Sequence, residues 1–311
     1  MADSRKNAPS ADSKAASYIL RSHVIEAPSL AAGLYIVATP IGNLSDITVR
    51  ALDVLAAADL IACEDTRVSR KLLTRYGIET HAISYNDYSD NSKRQRIIGA
   101  VRDGKSVALV SDAGTPLISD PGYRLVAELR KEGLPVVPVP GPSSVLAALS
   151  GAGLPTDRFH FTGFPPAKAG ARRRELAALA ALDATLVLLE SPNRLAATLA
   201  DAADVFGGET EACVCRELTK LHETFDRGSL AELATRYDGR QVKGEIVMLI
   251  HSAGGKADYE PEEVDRLISA ALAGGSVRQA ADVVAAETGL PRRMLYQRAL
   301  ALKSSQNSNE R

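Results

Sequence analysis

The sequence predicts an α/β protein of two α/β units followed by a small helical unit, and three observations carry that prediction. From Leu34 onward, short β-branched runs alternate with helix-length amphipathic stretches, the pattern of a mostly parallel sheet flanked by helices. A second series of strand-like runs begins after a bend-rich stretch ending in GAGLPTD (151–157), and its middle members are spaced closely enough for antiparallel pairing. At 311 residues the chain also exceeds the size at which one core keeps growing, and 45% of it is apolar.

Taken in order, residues 1–32 mix both charge signs with Ser and Ala and hold no continuous apolar run, so they are expected to form a disordered tail. Asp3, Asp12 and Glu26 argue against a transit peptide. Residues 33–153 make the first α/β domain, with strands at LYIVAT (34–39), LIAC (60–63), HAISY (81–85), VALVSD (107–112) and VVPVP (136–140), and helices such as DITVRALDVLAAA (46–58). Residues 154–253 make the second, with FHFTGF (159–164), TLVLLE (185–190), TEACVCREL (210–218), HETFDRG (222–228) and EIVMLI (245–250) in a mixed sheet. HSAGGKADYEP (251–261) reads as a linker into a helical domain, 258–305. There SVRQAADVVAAETGLPRRMLYQRAL (276–300) has the form of a helix-turn-helix, with Gly289 as a stop and Pro291 opening the last helix. Arg292, Arg293 and Arg298 on that helix suit a solvated face or a nucleic acid equally.

Lys plus Arg number 37 against 38 Asp plus Glu, so no global charge announces a polyanion partner. Cys63, Cys213 and Cys215 have no metal-ligand spacing and read as buried free thiols of a reducing, cytoplasmic compartment. The longest apolar stretch, 176–189, is interrupted by Asp183 and is too short to span a membrane.

Four strand ends of the first domain carry unusual loops, and ligands of such sheets bind at the carboxyl ends of strands. In ATPIGNLSDITVRAL (38–52), Pro40 and Gly42 bend the chain and Ser45 or Asp46 can cap the next helix, but neither a dinucleotide fingerprint nor a P-loop is present. ACEDTRVSRKLL (62–73) sets Glu64, Asp65 and Arg67 ahead of a helix, as a cap with its ion pair or as a ribose-binding acidic pair. VSDAGTPLISDPG (110–122) packs two turns among Ser111, Asp112, Thr115, Ser119 and Asp120, more than a connection requires. PVPGPSSVLAAL (138–149) adds Gly141, Pro142, Ser143 and Ser144. Together they describe one polar cleft lined by backbone amides and carbonyls.

These four loops, with FTGFPP, LLESPNR, CRELTKLHE and GEIVMLI, resemble the ribosomal RNA small subunit methyltransferase I family of the tetrapyrrole methylase superfamily, from about Leu34 to Ile250. The last helical unit is similar to that family's C-terminal domain. The resemblance implies a two-domain tetrapyrrole methylase-like fold with S-adenosylmethionine in a cleft between domains. It also implies 2′-O-methylation of a cytidine ribose in the decoding region of 16S ribosomal RNA, and a homodimer with no membrane association. Carried over by position, the cofactor contacts are Pro40, Gly42, Asn43, Asp112, Ala113, Gly114, Thr115 and Ser143, then Thr162, Gly163, Glu190, Ser191 and Gly244. GNLSD stands where corrin-type relatives have a longer Gly-Pro-Gly-Asp turn, which favours an RNA substrate.

Methyl transfer from a sulfonium to a hydroxyl is an in-line displacement that needs alignment and removal of the hydroxyl proton, and no metal. Glu64, Asp65, Glu190 and Lys220, with Glu217, are the candidate catalytic residues. Lys168, Arg172, Arg173 and Arg174 are the candidate RNA contacts, in a Pro/Gly-flanked loop where folding gives no reason for the cluster. Arg67, Arg70, Lys71 and Arg75 suit phosphates or a solvated face. With no Trp, stacking is limited to residues such as Tyr85, Tyr88 and Phe164, so recognition of RNA by shape is expected. A tetrapyrrole methylase and a noncatalytic RNA-binding or ribosome-assembly factor on the same fold are the rival readings.

Overall fold

The computed structural model describes residues 16–86, 91–254, 261–288, 290 and 292–309. The chain divides into two compact units, Met1–Gly151 with Cys215–Phe225, and Ala152–Val214 with Asp226–Arg311. The excursion of Cys215–Phe225 into the first unit is new.

The first unit opens with a hairpin, β1 (Ser17–Leu20) and β2 (His23–Glu26), paired antiparallel. This corrects the expectation of a disordered tail for residues 16–32. Tyr18 is 1% exposed, burial with the Asp53 carboxylate beside it pushes its phenol up to about 12, and the Ile19 amide donates to the Tyr76 carbonyl at 2.8 Å. Two four-residue strands are too short to show a period in mixed-charge sequence; tertiary packing orders them.

The chain continues through β3 (Gly33–Val37), α1 (Val49–Ala57), β4 (Leu60–Cys63), α2 (Thr66–Arg75), β5 (Ala82–Ser84), α3 (Asn91–Arg102), β6 (Ser106–Val110), α4 (Tyr123–Lys131), β7 (Val136–Val139) and α5 (Ser144–Ala152). The strands form one sheet in the order β5-β4-β6-β3-β7, every pair parallel, as βαβ alternation dictates. Both faces are covered. Alternate residues Val37, Ile61, Ala108 and Val110 meet Leu52 and Leu55 of α1 and Leu72 and Leu73 of α2, while Leu34, Ala62 and Leu109 meet Ile97 and Ile98 of α3 and Leu125 and Leu129 of α4.

Strands β3, β6 and β7 stop earlier than the sequence runs suggested, because Pro40, the Asp112–Gly114 turn and Gly141 leave the sheet plane. The expected helix at 46–58 is likewise split. A 3₁₀ turn, Leu44–Asp46, is capped by the Asn43 side chain, and α1 starts separately with Thr48 Oγ1 accepting from the Ala51 amide at 3.1 Å.

The second unit holds β8 (Phe159–Gly163), α6 (Ala169–Leu179), β9 (Asp183–Glu190), α7 (Leu195–Phe206), β10 (Glu211–Arg216), β11 (Thr224–Ser229), α8 (Leu230–Tyr237) and β12 (Ile246–Ala253), the link between β10 and β11 excepted. Sheet order is β11-β10-β12-β9-β8, with β12 antiparallel and β8 parallel to β9, a mixed sheet as expected. Leu186, Leu188, Met248 and Ile250 bury against Leu195 and Leu199 of α7 and Leu230 and Leu233 of α8.

Three helices follow, α9 (Pro261–Ala273), α10 (Val277–Thr288) and α11 (Arg292–Asn309), packed around Val264, Ile268, Ala281, Val284, Leu295 and Ala299. Gly289 and Pro291 lie outside the described residues, as does Tyr88. Arg292 pairs with Asp282 and Arg298 with Asp265, so two of the three arginines of that helix serve the helical core's own surface. No helix among the described residues is long and apolar enough to cross a membrane.

Candidate functional site

The carboxyl ends of β3, β4, β6 and β7 bring the four loops to one edge of the first unit's sheet, and hydrogen bonds tie each to its neighbours. Thr39 and Gly114 exchange main-chain bonds of 2.8 and 2.9 Å, Thr115 Oγ1 donates to the Pro142 carbonyl at 3.1 Å, and the Asp65 amide donates to Asp112 Oδ1 at 3.0 Å. Within the third loop Gly114, Leu117, Ser119 and Gly122 all have positive φ (78°, 75°, 61° and 129°). For Leu and Ser that conformation costs about 1–2 kcal/mol each, so the surrounding ties must hold it. Such stored strain clusters where a loop's shape serves a ligand. Pro40, Gly42, Asn43, Asp112, Ala113, Gly114, Thr115 and Ser143 thus come together, with Glu64 and Asp65 alongside.

Sequence reasoning named Glu217 and Lys220 but missed that their segment closes loop one. Segment 217–220 lies against Gly42: a Cβ added there would stand 2.5 Å from Lys220 Cγ, 2.8 Å from Thr219 Oγ1 and 3.0 Å from the Leu218 carbonyl oxygen. The Asn43 amide donates to Thr219 Oγ1 at 3.1 Å, and Lys220 Nζ pairs with Glu217 Oε1 at 2.8 Å. Glu217 and Thr219 both take positive φ, 53° and 64°. Lys220 is therefore beside loop one. Thr219 and Thr39, neither of them a candidate from sequence, hold the main chain in place with Ser111, which was one of the third loop's expected residues; no composition signal separates such hydroxyls from ordinary ones.

Four carboxylates, Glu64, Asp65, Asp112 and Asp120, act on one another at this edge. Asp65 caps α2, accepting from the Arg67 amide at 2.8 Å, and its side chain grips the Arg67 guanidinium. Those bonds hold its carboxyl down to about 2, which makes it a weak proton acceptor. Burial, then the negative charges of Asp112, Asp120 and Asp65, pushes Glu64 up. Asp120 is also raised, chiefly by burial and then by Asp112, against a lowering hydrogen bond from Ser111. A carboxyl with a raised folded-state value binds its proton more tightly when folded, so its ionisation subtracts stability above the ordinary carboxylate range and nothing below it. Asp120→Asn is accordingly expected to melt higher than the parent at neutral pH, with the gain disappearing as pH falls into the range where unfolded aspartate protonates. Thermal melts at the two pH values check it, and an equal gain at both would contradict it.

The second unit assembles its own candidates at one sheet edge. Thr162 and Gly163 (φ 72°) end β8, Glu190 and Ser191 end β9, and Gly244 (φ 97°) precedes β12, whose Ile246 pairs with Glu190. Glu190 is 3% exposed. Its oxygens accept from Thr198 Oγ1 at 2.6 Å and the Ser191 amide at 2.7 Å, and Arg194 pairs with it at 3.2 Å. Its carboxylate therefore clamps the end of β9 to the start of α7.

The basic cluster needs correction. Its arginines lie on α6, not in a loop, with Lys168 at the N-cap. Arg172 is 4% exposed and pairs with Asp201, whose other oxygen takes Arg173 Nε at 2.6 Å. Folding therefore does account for Arg172, which is closed off from RNA; Lys168, Arg173 and Arg174 remain on the surface.

Residues 33–234 match the family model "Tetrapyrrole (Corrin/Porphyrin) Methylases", and residues 258–303 match the "RsmI C-terminal HTH domain". A protein of Mesorhizobium japonicum named ribosomal RNA small subunit methyltransferase I is 50% identical over 92% of this chain and 97% of its own. Its namesake from Vibrio cholerae is 46% identical over 86% and 94%. Among solved structures, uroporphyrin-III C-methyltransferase of Thermus thermophilus, complexed with S-adenosylhomocysteine, matches with TM-score 0.51 and 19% identity, covering 71% of this chain and 98% of its own.

Proposed function

The chain belongs to the tetrapyrrole methylase family and, within it, to the ribosomal RNA small subunit methyltransferase I family, and from that premise we propose that it methylates the ribose 2′-hydroxyl of a cytidine in the decoding region of 16S ribosomal RNA. S-adenosylmethionine is the methyl donor of these methyltransferases, and the first unit's residues fit it. The carboxylates Asp112 and Asp120 suit a cationic sulfonium, and the tied main chain at Thr39–Asn43 and Asp112–Thr115 offers amides and carbonyls for the rest. The proposed cofactor positions are Pro40, Gly42, Asn43, Asp112, Ala113, Gly114, Thr115 and Ser143. From the second unit they are Thr162, Gly163, Ser191 and Gly244, with Glu190 positioning Ser191 through its hydrogen bond.

When bound, the cofactor supplies an activated methyl; the chain's residues align the acceptor and remove its proton. Glu64 is the proposed proton acceptor. The observation that carries this choice is the contrast with Asp65, whose carboxyl is committed to Arg67 and held at about 2 while Glu64 is raised. Lys220, paired with Glu217 beside Gly42, is the second candidate. Glu64→Gln is expected to lower kcat by about 10²-fold or more with cofactor affinity little changed, whereas Lys220→Met with the larger loss would move the role to Lys220.

Lys168, Arg173 and Arg174 are the proposed RNA contacts of the second unit. The proposed setting is cytoplasmic and homodimeric, read from the family; sedimentation of the full chain tests the dimer. Labelled-methyl transfer separates the readings: incorporation into unmodified small subunits or their RNA supports the proposal. Transfer to a tetrapyrrole acceptor alone, or cofactor binding with no transfer, contradicts it.

A further inference from the structure

Beneath the β1–β2 hairpin lies a cavity of about 340 Å³ that the methyl-transfer chemistry leaves unused. Its lining carries two cations, Arg21 from the hairpin turn and Arg75 from the last turn of α2, together with Ser22, Ser45, Tyr76 and Ile47. Neither arginine has a carboxylate partner among the described residues. Asp46, whose charge acts on the Tyr76 phenol in the sense opposite to that of Arg75, is an opposing charge nearby. We infer that this cavity holds a phosphodiester of the RNA strand being methylated, an inference that rests on the proposed RNA substrate.

Three observations point the same way. First, the two-residue hairpin turn has φ of 47° at Arg21 and 71° at Ser22, a geometry for which Asn-Gly is the usual choice. Arg-Ser is a strained way to make that turn, and it puts a guanidinium in the cavity lining. Second, the site is built rather than frayed. Ile19 bonds to Tyr76, Tyr18 is buried, and the Tyr76 hydroxyl donates to the Leu44 carbonyl at 2.7 Å, two residues past Gly42. The cavity thus adjoins loop one of the cofactor site. Third, Lys71 and Arg75 stand four residues apart on α2, so one helix face carries cations up to the cavity, while Arg67, a turn further back, is held by Asp65. A polyanion with regularly spaced charges matches that row better than a single small anion does.

The test uses the full chain and two variants, R21N/S22G and R75Q. Affinity for a labelled RNA hairpin of decoding-region sequence is measured across salt concentrations without cofactor, beside affinity for inorganic phosphate, cofactor affinity and melting temperature. R21N/S22G is expected to melt higher, because Asn-Gly relieves the turn, and yet to bind RNA roughly tenfold more weakly, with a salt dependence shallower by about one unit of slope. R75Q is expected to weaken RNA binding similarly, and cofactor affinity should hold in both. Unchanged RNA affinity and slope would overturn the inference. Loss of inorganic phosphate binding without any effect on RNA would overturn it too, assigning the cavity to the free ion. A parent protein that transfers no methyl to RNA but shows the arginine-dependent slope would contradict the proposed function and support the cavity.

Discussion

Asp201→Ala lowers the stability of the second unit by about 3–5 kcal/mol, because it leaves the Arg172 guanidinium buried without its counter-charge. The pair is closed on both sides, 4% and 5% exposed, with Arg172 Nε donating to Asp201 Oδ2 at 2.7 Å. The same carboxylate holds Arg173, so two tethers between α6 and α7 go at once. Surface pairs such as Arg158–Asp183 are worth under about 1 kcal/mol by comparison. Hydrogen exchange of the β9 and β12 amides reads the loss within this unit alone. Replacing both partners by apolar residues of similar volume should recover most of it, since the penalty lies in the orphaned charge. A loss below about 1 kcal/mol for Asp201→Ala would show that water reaches Arg172, and would reopen it as an RNA contact.

Gly42→Ala costs about 10²-fold in kcat/KM for methyl transfer, of the order expected when a reacting geometry is displaced by about 1 Å. Gly42 has no left-handed φ to excuse it; the constraint is space. The new Cβ meets Lys220 Cγ, which can swing away, but also Thr219 Oγ1 and the Leu218 carbonyl, which belong to a segment already fixed by positive φ at Glu217 and Thr219. Loop one or segment 217–220 must shift, and with it the Asn43 amide bond to Thr219. The unit's core is untouched, so its melting temperature should change little while cofactor affinity falls. Parent-like kcat/KM for Gly42→Ala would mean that the contact of loop one with 217–220 does not set the site.

Much of this architecture was legible because parallel strands buried on both faces are apolar throughout: LIAC is β4 as read, and VALV is the buried end of β6. The four loops were legible as a group, since Gly, Pro and hydroxyl residues after each strand have few purely structural uses. What escaped has a common physical cause. The hairpin at 17–26, the role of Thr219 and the burial of Arg172 are all set by partners far away in sequence: Tyr76, Asn43 and Asp201. KAGARRREL looks solvated from its own composition; only the facing helix supplies the carboxylate that buries one of its charges. Glu190 illustrates the converse, a strand-end acid that resembles a catalytic group and that the fold surrounds with Thr198, Ser191 and Arg194.

The central claim is the chemistry at the ribose, and the position of the transferred methyl tests it most directly. After incubation of unmodified small subunits with labelled S-adenosylmethionine, the RNA is hydrolysed in alkali, which needs a free 2′-hydroxyl to cut each phosphodiester. A 2′-O-methyl cytidine survives as a labelled, alkali-stable dinucleotide from the decoding region, and that is the predicted result. Label released as a base-methylated mononucleotide, or no label in RNA at all, would contradict the account.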